Sequence, residues 1–593
     1  MIFKILSSIL AAVFALGSVN TVLTPDALDN AISAVFGVPV FSSSVNEKFI
    51  EDIDDTRIAS ANGESGWCKN LILIFSDENA SAFDMRRMFI AEPATLLGWA
   101  MPADLYVAYC PYSSLEKTKQ YCEYLTAKYD CAALAAPVYA FHKSPDYTPD
   151  DPFGEPGNKI NWTESSPGGA NWWLEAIDAR QAWDYDSYFK SIKTGIVDCG
   201  FNTEHVELKG RITFPNARQE KRNISDRHGN HVAGIIGAAH NNKSGVSGVV
   251  KNADLVCVDW QPNEEEKQKW NTSVHIFFGV IDLVRAGAKA VNLSLGSSGS
   301  IEKGSESDKF ELWADAAIHS AMLSALLGNG YEFLICQSAG NGNKNSEPVD
   351  AKHNGTFTGI SADNAFSIRF SVSKQDILDR IVIVSAAKNN GRGDYSQASF
   401  SNVGKQISIA APGASVYSST EGEDGCGYLS GTSMAAPVVT GVATLVWSVN
   451  PDFTGAQVKK IITDPKNSDA VVRPVDEESR AFKDLDYIDY NMVNANLSVQ
   501  AALLQTYDMG RVTGSIDGCD EITVTQNGKK TVYTVIDDGT FSFVIPAGKA
   551  TLSACGSDGE EIFSTEITIE KNKTRNIGSI TVTPPEETPD TQP

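Results

Sequence analysis

The stretch Gly431-Thr432-Ser433-Met434-Ala435-Ala436-Pro437 constrains this chain more than any other. Gly425, Gly427 and Gly431 approach it, and an apolar run from Val438 to Trp447 leaves it. Ala435, Val438, Val439, Val442 and Leu445 recur at helical spacing, and Asn450-Pro451 stops the helix. Gly431 reaches backbone shapes closed to other residues, so a sharp turn can present Ser433. Pro437 is expected close to the helix start, where its missing N–H costs nothing. Ser433 then sits where unpaired backbone N–H groups and the helix dipole favour negative charge. A hydroxyl there is placed to attack a carbonyl and to share its own N–H with the oxyanion that forms. The plain alternative is a serine that only caps a helix.

Other apolar runs end in polar residues. Thr194-Gly195-Ile196-Val197-Asp198-Cys199-Gly200 reads as a buried strand ending in an acid, which is costly unless the acid is partnered. His228-Gly229-Asn230-His231-Val232-Ala233-Gly234 opens an apolar helix. Its two histidines lie three apart on one face, but no third ligand is near in sequence, so no metal is assigned. Leu255 to Val258, Ala290 to Leu293, Phe333 to Ser338 and Ile381 to Ala386 read as further strands. Ile276 to Ala286 and Lys309 to Leu327 read as helices between them, giving an α/β domain. An extended peptide can add to a strand end such as Ser294-Leu295-Gly296 through backbone bonds. Asn341, after Ser338-Ala339-Gly340, is in the plain reading a turn residue.

Together these stretches resemble the motifs of the subtilisin-like serine proteases over about residues 160–505. Asp198, His228 and Ser433 stand in the subtilisin order, which the chymotrypsin and hydrolase-fold orders do not share. The resemblance implies a parallel sheet flanked by helices, with Asp198, His228 and Ser433 as the catalytic triad. It implies Asn341 as oxyanion donor, and Ser294, Leu295, Gly296, Ser338, Ala339 and Gly340 as substrate-binding residues. His231 becomes a packed structural histidine. The family usually has Ser or Thr at Cys199 and Thr at Asn230. No cofactor is required. Some relatives bind calcium in the loop matching Ala239 to Val250. Here only Asn241 and Asn242 offer side-chain amides, with no carboxylate adjacent in sequence, against the several oxygens calcium wants. Asn341 to about Arg380 is longer and more polar than a minimal member needs, and reads as a surface insertion near the cleft.

The flanks complete the plan. Residues 1–20 read as an export leader, with Lys4 before the apolar run Ile5 to Leu16. Residues 46–143 read as a small α+β domain, with strands at Asn70 to Phe75, Leu105 to Tyr109 and Val138 to Phe141. A helix at Ser114 to Tyr129, with Ser114 as a cap, completes it. The resemblance makes this domain a propeptide that assists folding and inhibits the site until cleaved. Residues 144–159 are a linker; Ser144 to Gly157 holds four prolines and four acids, and processing is expected there. After the closing helices, residues 509–583 read as a small all-β sandwich of the prealbumin-like kind. Asp537-Asp538-Gly539 is expected to make a hairpin there. Residues 584–593 read as a disordered tail.

A net charge of −25 disfavours nucleic acid or an anionic membrane as partner. No other segment approaches the length of a membrane span, so the mature chain is expected to lack one. The expected partners are protein or peptide substrates and the chain's own propeptide. The expected location is secreted or at the cell surface, where ten cysteines permit disulfides. Cys199, Cys257 and Cys336, in apolar runs, read as small buried residues. An inactive binding protein of the same fold is the rival reading, disfavoured because Asp198, His228, Asn341 and Ser433 are all filled.

Overall fold

The computed structural model describes residues 58–60, 66–141, 170–215, 227–260, 271–296, 306–343, 347–362, 371–475 and 484–580, less short stretches within these spans. The expected leader, linker and tail lie outside them. The chain divides into a small unit, residues 1–53 and 69–137, and a large one, residues 54–68 and 138–593.

The N-terminal elements are β1 (Ile58–Ser60), β2 (Gly66–Ser76), α1 (Ala82–Ala91), β3 (Thr95–Ala100), β4 (Leu105–Tyr109), α2 (Leu115–Lys128) and β5 (Ala132–Phe141). The sheet order β3-β4-β2-β5, with a helix after β2 and after β4, is that of a ferredoxin-like split βαβ motif. Ile72, Ile74, Met85, Met88, Phe89, Tyr106 and Leu125 fill its core. Ser81 and Asp84 cap α1 reciprocally. Ser114 occupies the N-cap of α2 but makes no side-chain cap bond, contrary to expectation. Thr95 to Ala100 was not anticipated as a strand; Gly98 interrupts its pattern at a register shift against β4.

The large unit continues with α3 (Trp172–Glu175), α4 (Ala179–Trp183), β6 (Lys193–Asp198), β7 (Ile212–Thr213), α5 (His228–Gly237), β8 (Asp254–Asp259), β9 (Asn271–Thr272), α6 (Ser273–Arg285) and β10 (Ala290–Leu293). Then come α7 (Glu306–Gly328), β11 (Leu334–Ser338), α8 (Thr358–Ala362), α9 (Lys374–Leu378), β12 (Ile381–Gly391), β13 (Asp394–Gln397), β14 (Ile409–Pro412), β15 (Val416–Ser419), β16 (Cys426–Leu429), α10 (Thr432–Val449) and α11 (Gly455–Thr463). The sheet runs β13-β12-β11-β10-β6-β8-β7, with β14 also on β12, and is parallel except at β13. Its strands are continuous apolar runs because helices cover them. Every residue of α10 is buried. Among the described residues it is the helix long and apolar enough to cross a membrane, and here it is the core helix. Pro437 lies inside α10, not at its first position, so the sequence expectation for it fails. Near the N-terminal edge of this unit, Ala140 and Phe141 of β5 pair antiparallel with Thr272 and Asn271 of β9.

The segment after Asn341 is not a surface insertion where it is described. Ala351, Thr356, Phe357, Thr358 and Ile360 are fully buried, because the segment turns under the sheet ends.

After β17 (Val471–Val472), β18 (Tyr490–Asn491) and α12 (Ala495–Thr506) come β19 (Met509–Ile516), β20 (Glu521–Gln526), β21 (Lys529–Thr534), β22 (Thr540–Pro546), β23 (Gly548–Cys555), β24 (Glu561–Ile569) and β25 (Thr574–Ile580). They form two sheets, β22-β19-β25 and β21-β20-β23-β24. Asp537 and Asp538, where a hairpin is expected, lie outside the described residues, but the flanking strands β21 and β22 belong to different sheets and do not pair as a hairpin. The tight hairpin is at Asn527-Gly528, both left-handed, between β20 and β21. This module packs on the preceding α/β region: the Tyr185 hydroxyl accepts from Val544 N at 2.8 Å, and Gln500 Nε2 donates to the Ser542 carbonyl at 2.6 Å.

None of the eight cysteines whose side chains are described is in a disulfide, and Cys110, Cys122, Cys199, Cys257, Cys336 and Cys519 are buried.

Candidate active site

Asp198 ends β6, flanked by β10 and β8, and is 2% exposed. Its Oδ1 accepts from Cys199 N at 2.8 Å and lies 2.7 Å from His228 Nδ1. The acid at the strand end is thus partnered, as its burial requires. His228 opens α5, and the helix start is tied to the strand end: Gly229 N donates to the Cys199 carbonyl at 2.7 Å. A Cβ on Gly229 would stand 2.4 Å from that carbonyl, so the close approach needs glycine.

Asn230, at a position where the resemblance leads one to expect Thr, bridges two neighbours. Its Oδ1 accepts from Asn202 N at 2.7 Å and its Nδ2 donates to the Thr420 carbonyl at 2.8 Å. His231 is fully buried, with Nε2 facing the Val416 and Gly427 carbonyls at 3.0 and 3.2 Å. Two acceptors there fix the proton on Nε2. Burial, then the neighbouring His228, pushes its pKa down to about 3. His231 is a neutral packing residue.

Ser433 is the second residue of α10, after Gly431 in extended backbone, and is 2% exposed. Its Oγ donates to the Ser294 carbonyl at 3.3 Å, and the Ser294 hydroxyl donates to the Ser433 carbonyl at 2.6 Å. Pro437 explains the second bond. In a regular helix the amide four residues on would bond the Ser433 carbonyl, and proline has none. Ser294 replaces it, and Asn292 Nδ2 donates to the Ser294 hydroxyl oxygen at 3.0 Å.

Asn341 meets the same helix start. Its Oδ1 accepts from Thr432 N at 2.8 Å and from Thr432 Oγ1 at 2.9 Å. With the oxygen so held, the amide nitrogen turns toward Gly431, where a Cβ would be 3.0 Å from Nδ2. The turn carrying Asn341 is clamped by Asn402, which sequence reading had placed only on the approach to the serine. Asn402 Nδ2 donates to the Ala339 carbonyl at 2.8 Å, and its Oδ1 accepts from Gly342 N at 3.0 Å.

The two predicted substrate-lining segments lie side by side, because Leu293 and Gln337 pair in register just before them. Ser338 Oγ donates across to the Leu295 carbonyl at 3.4 Å. The structure thus joins Asp198 to His228, and joins Ser433, Ser294 and Asn341 around the start of α10. Helices α5 and α10, which carry the two groups, pack together.

One site residue escaped the sequence. Glu207 is fully buried, its Oε2 accepts from Asn242 Nδ2 at 2.7 Å, and a Cβ on Gly245 would be 2.3 Å from its Oε1. The loop that seemed to lack a carboxylate has one, supplied from outside it. Among the described residues no group of three or more His, Cys, Asp or Glu could hold a metal.

A family model described as the subtilase family matches residues 190–482. Subtilisin DY of Bacillus licheniformis is 29% identical over 289 residues, which are 48% of this chain and 86% of that protein. An extracellular basic protease of Dichelobacter nodosus is 30% identical over 377 residues, 55% of this chain and 53% of that one. The chain likewise spans 58% of subtilisin NAT of Bacillus subtilis subsp. natto. It thus spans little more than half the length of several relatives it matches. The crystal structure of fervidolysin from Fervidobacterium pennivorans, a keratinolytic enzyme related to subtilisin, aligns with a TM-score of 0.52 at 17% identity. That alignment covers 88% of this chain and 79% of fervidolysin and speaks to fold alone.

Proposed function

Because the chain belongs to the subtilase family and is a subtilisin-like serine endopeptidase, we propose that it is an exported enzyme, made as a zymogen, that cuts protein substrates with Asp198, His228 and Ser433. The observation that carries this reading is the buried Asp198–His228 pair at 2.7 Å, with Ser433 at the start of the helix packed against the His228 helix.

Ser433 Oγ attacks the peptide carbonyl carbon while its proton passes to His228 Nε2. Asp198, on Nδ1, holds the imidazole in the tautomer that can take that proton and stabilises the resulting cation. The carbonyl oxygen becomes an oxyanion between Asn341 Nδ2 and Ser433 N–H. His228 then gives its proton to the leaving amine, the C–N bond breaks, and an acyl-Ser433 remains. Water, deprotonated by His228, releases the acid and restores Ser433. The name of one relative, an extracellular basic protease, supports export. The ferredoxin-like small unit supports a propeptide that folds separately and inhibits the site.

A structural calcium ion at this loop would draw on Glu207 and Asn242, two hard oxygen-bearing side chains now joined by a hydrogen bond, and would need further oxygens from the backbone or water. The ion would brace the loop after α5 and take no part in the chemistry.

The test is labelling by a fluorophosphonate, with casein hydrolysis in parallel. Wild-type protein is expected to carry one adduct on Ser433, and Ser433→Ala none, with loss of hydrolysis. Processed protein that binds peptide but takes no adduct would replace the enzyme by a binding protein. If Ser433→Ala is trimmed at the wild-type rate, a separate protease performs the maturation.

A further inference from the structure

We propose that Asn354 sets the substrate preference of this cleft, closing the slot for the side chain at the attacked residue so that Gly, Ala or Ser is accepted there and Phe or Leu is refused. This rests on the endopeptidase reading of Ser433 and Asn341. It concerns a residue that lies in no motif.

The slot follows from the site. Segments Ser294–Gly296 and Ser338–Gly340 run on side by side from paired strands. Ser433 Oγ touches the first, at the Ser294 carbonyl, and Asn341 continues the second. A carbonyl carbon in front of Ser433, with its oxygen toward Asn341, puts the side chain of that residue between the two segments. Each segment ends in a glycine whose bare face meets the same group. A Cβ on Gly296 would lie 2.2 Å from Asn354 Oδ1 and 2.4 Å from its Cγ and Nδ2. A Cβ on Gly340 would lie 2.4 Å from Asn402 Nδ2, which clamps this turn from behind, and 2.6 Å from Asn354 Oδ1. The amide of Asn354 therefore fills the space that two missing side chains leave between the walls.

The amide is fixed there. It is 2% exposed, and its Nδ2 donates to the Ser338 carbonyl at 2.8 Å. Asn354 ends a short 3-10 turn, Ala351–Asn354, whose start is capped by Asp350. The chain just after it is fastened to β11 by Gln337, whose Oε1 accepts from Phe357 N at 3.0 Å. Gln337 Nε2 donates to the Leu295 carbonyl at 3.3 Å, so one side chain braces both the wall and the plug. Phe357 is itself buried against His319, ring to ring at 4.6 Å. Displacing the amide breaks the Ser338 bond. Beside a fixed amide there is room for a methyl or hydroxymethyl group, and a ring would have to overlap it.

The test uses the processed full chain and two peptide p-nitroanilides that differ only in Ala or Phe at the attacked residue. Wild type is expected to favour Ala by about tenfold or more in kcat/KM, the scale on which a pocket separates side chains of different size. Asn354→Gly is expected to shift the Phe-to-Ala ratio of kcat/KM at least tenfold toward Phe. Asn354→Ala serves as the second variant if the glycine disturbs folding, with the same direction. Wild type that prefers Phe overturns the proposal whatever the variants do, as does an unchanged ratio in both variants. A peptide-free fluorophosphonate separates the two levels. Labelled enzyme without size selectivity refutes the role of Asn354 and leaves the endopeptidase standing, whereas unlabelled enzyme refutes both.

Discussion

The Ser294 hydroxyl donates to the Ser433 carbonyl at 2.6 Å, in place of the amide that Pro437 does not have. A proline inside the core helix and a serine at the end of β10 are thus two halves of one arrangement. Ser294→Ala leaves a buried carbonyl without its donor, at a cost of about 1–3 kcal/mol. Pro437→Ala returns the helical amide, so the same serine change should cost clearly less in that background. Chemical denaturation of the two single variants and the double variant measures the difference. Strictly additive costs would show that the two residues do not share the carbonyl.

Asn341→Ala should lower kcat by about 10²–10³ with little change in KM, a magnitude carried over from the matching donor of subtilisin, a relative of this chain. Thr432 holds the amide oxygen of Asn341, so Thr432→Val should reproduce part of the loss by freeing the side chain to turn. Steady-state kinetics on one peptide substrate checks both. An equal rise in KM with kcat unchanged would mean that Asn341 only binds substrate.

His231 is held neutral, its pKa pushed down to about 3, whereas an unfolded histidine titrates near 6.5. Its basicity falls on folding, so in acid the unfolded chain takes up the proton that the folded chain refuses. Its contribution is therefore undiminished above about pH 6.5 and is lost progressively as pH falls toward 3, by about 2 kcal/mol at pH 5. His240, pushed down to about 4 by burial, adds with the same sign. In a Ser433→Ala background, which prevents self-digestion, His231→Gln should flatten the fall in Tm between pH 8 and pH 5. Parallel Tm profiles for the two proteins would remove His231 from the acid response.

Chelation should lower Tm, and calcium at a hundred times its dissociation constant should restore about 2.7 kcal/mol. Glu207→Gln should abolish that response, since the buried carboxylate would be the anionic ligand of the loop. Calorimetry with calcium and with EDTA decides. A parent protein indifferent to both would leave Glu207 a hydrogen-bonded acid and nothing more.

Much of the site was legible because each chemical group sits in a short segment with its own local reason to be there. Asp198 ends an apolar strand, His228 opens an apolar helix and Ser433 follows a glycine turn. What stayed hidden depends on contacts between distant segments. Glu207 meets Asn242 only after folding, so a search for a carboxylate adjacent in sequence missed it. Asn354 lies in a polar stretch that looked like a surface insertion, yet the stretch turns inward because Gln337 captures its backbone. Pro437 was misplaced for the opposite reason: the rule about its missing amide is local, and the compensating hydroxyl comes from another strand. In the C-terminal module the hairpin was expected at Asp537-Asp538-Gly539, while Asn527-Gly528, passed over in the sequence, makes the tight turn, because dipeptide signals do not say which strands share a sheet.

The enclosed cysteines bear on how long the protein would last if it is exported as proposed. Six thiols are shielded while the fold is closed, so oxidants reach them only through opening events. Once exposed, they can cross-link in wrong pairs, and the opened chain cannot return. Survival in an oxidising medium then becomes a question of how seldom the molecule opens, a rate set by its unfolding barrier, and not of where its folding equilibrium lies.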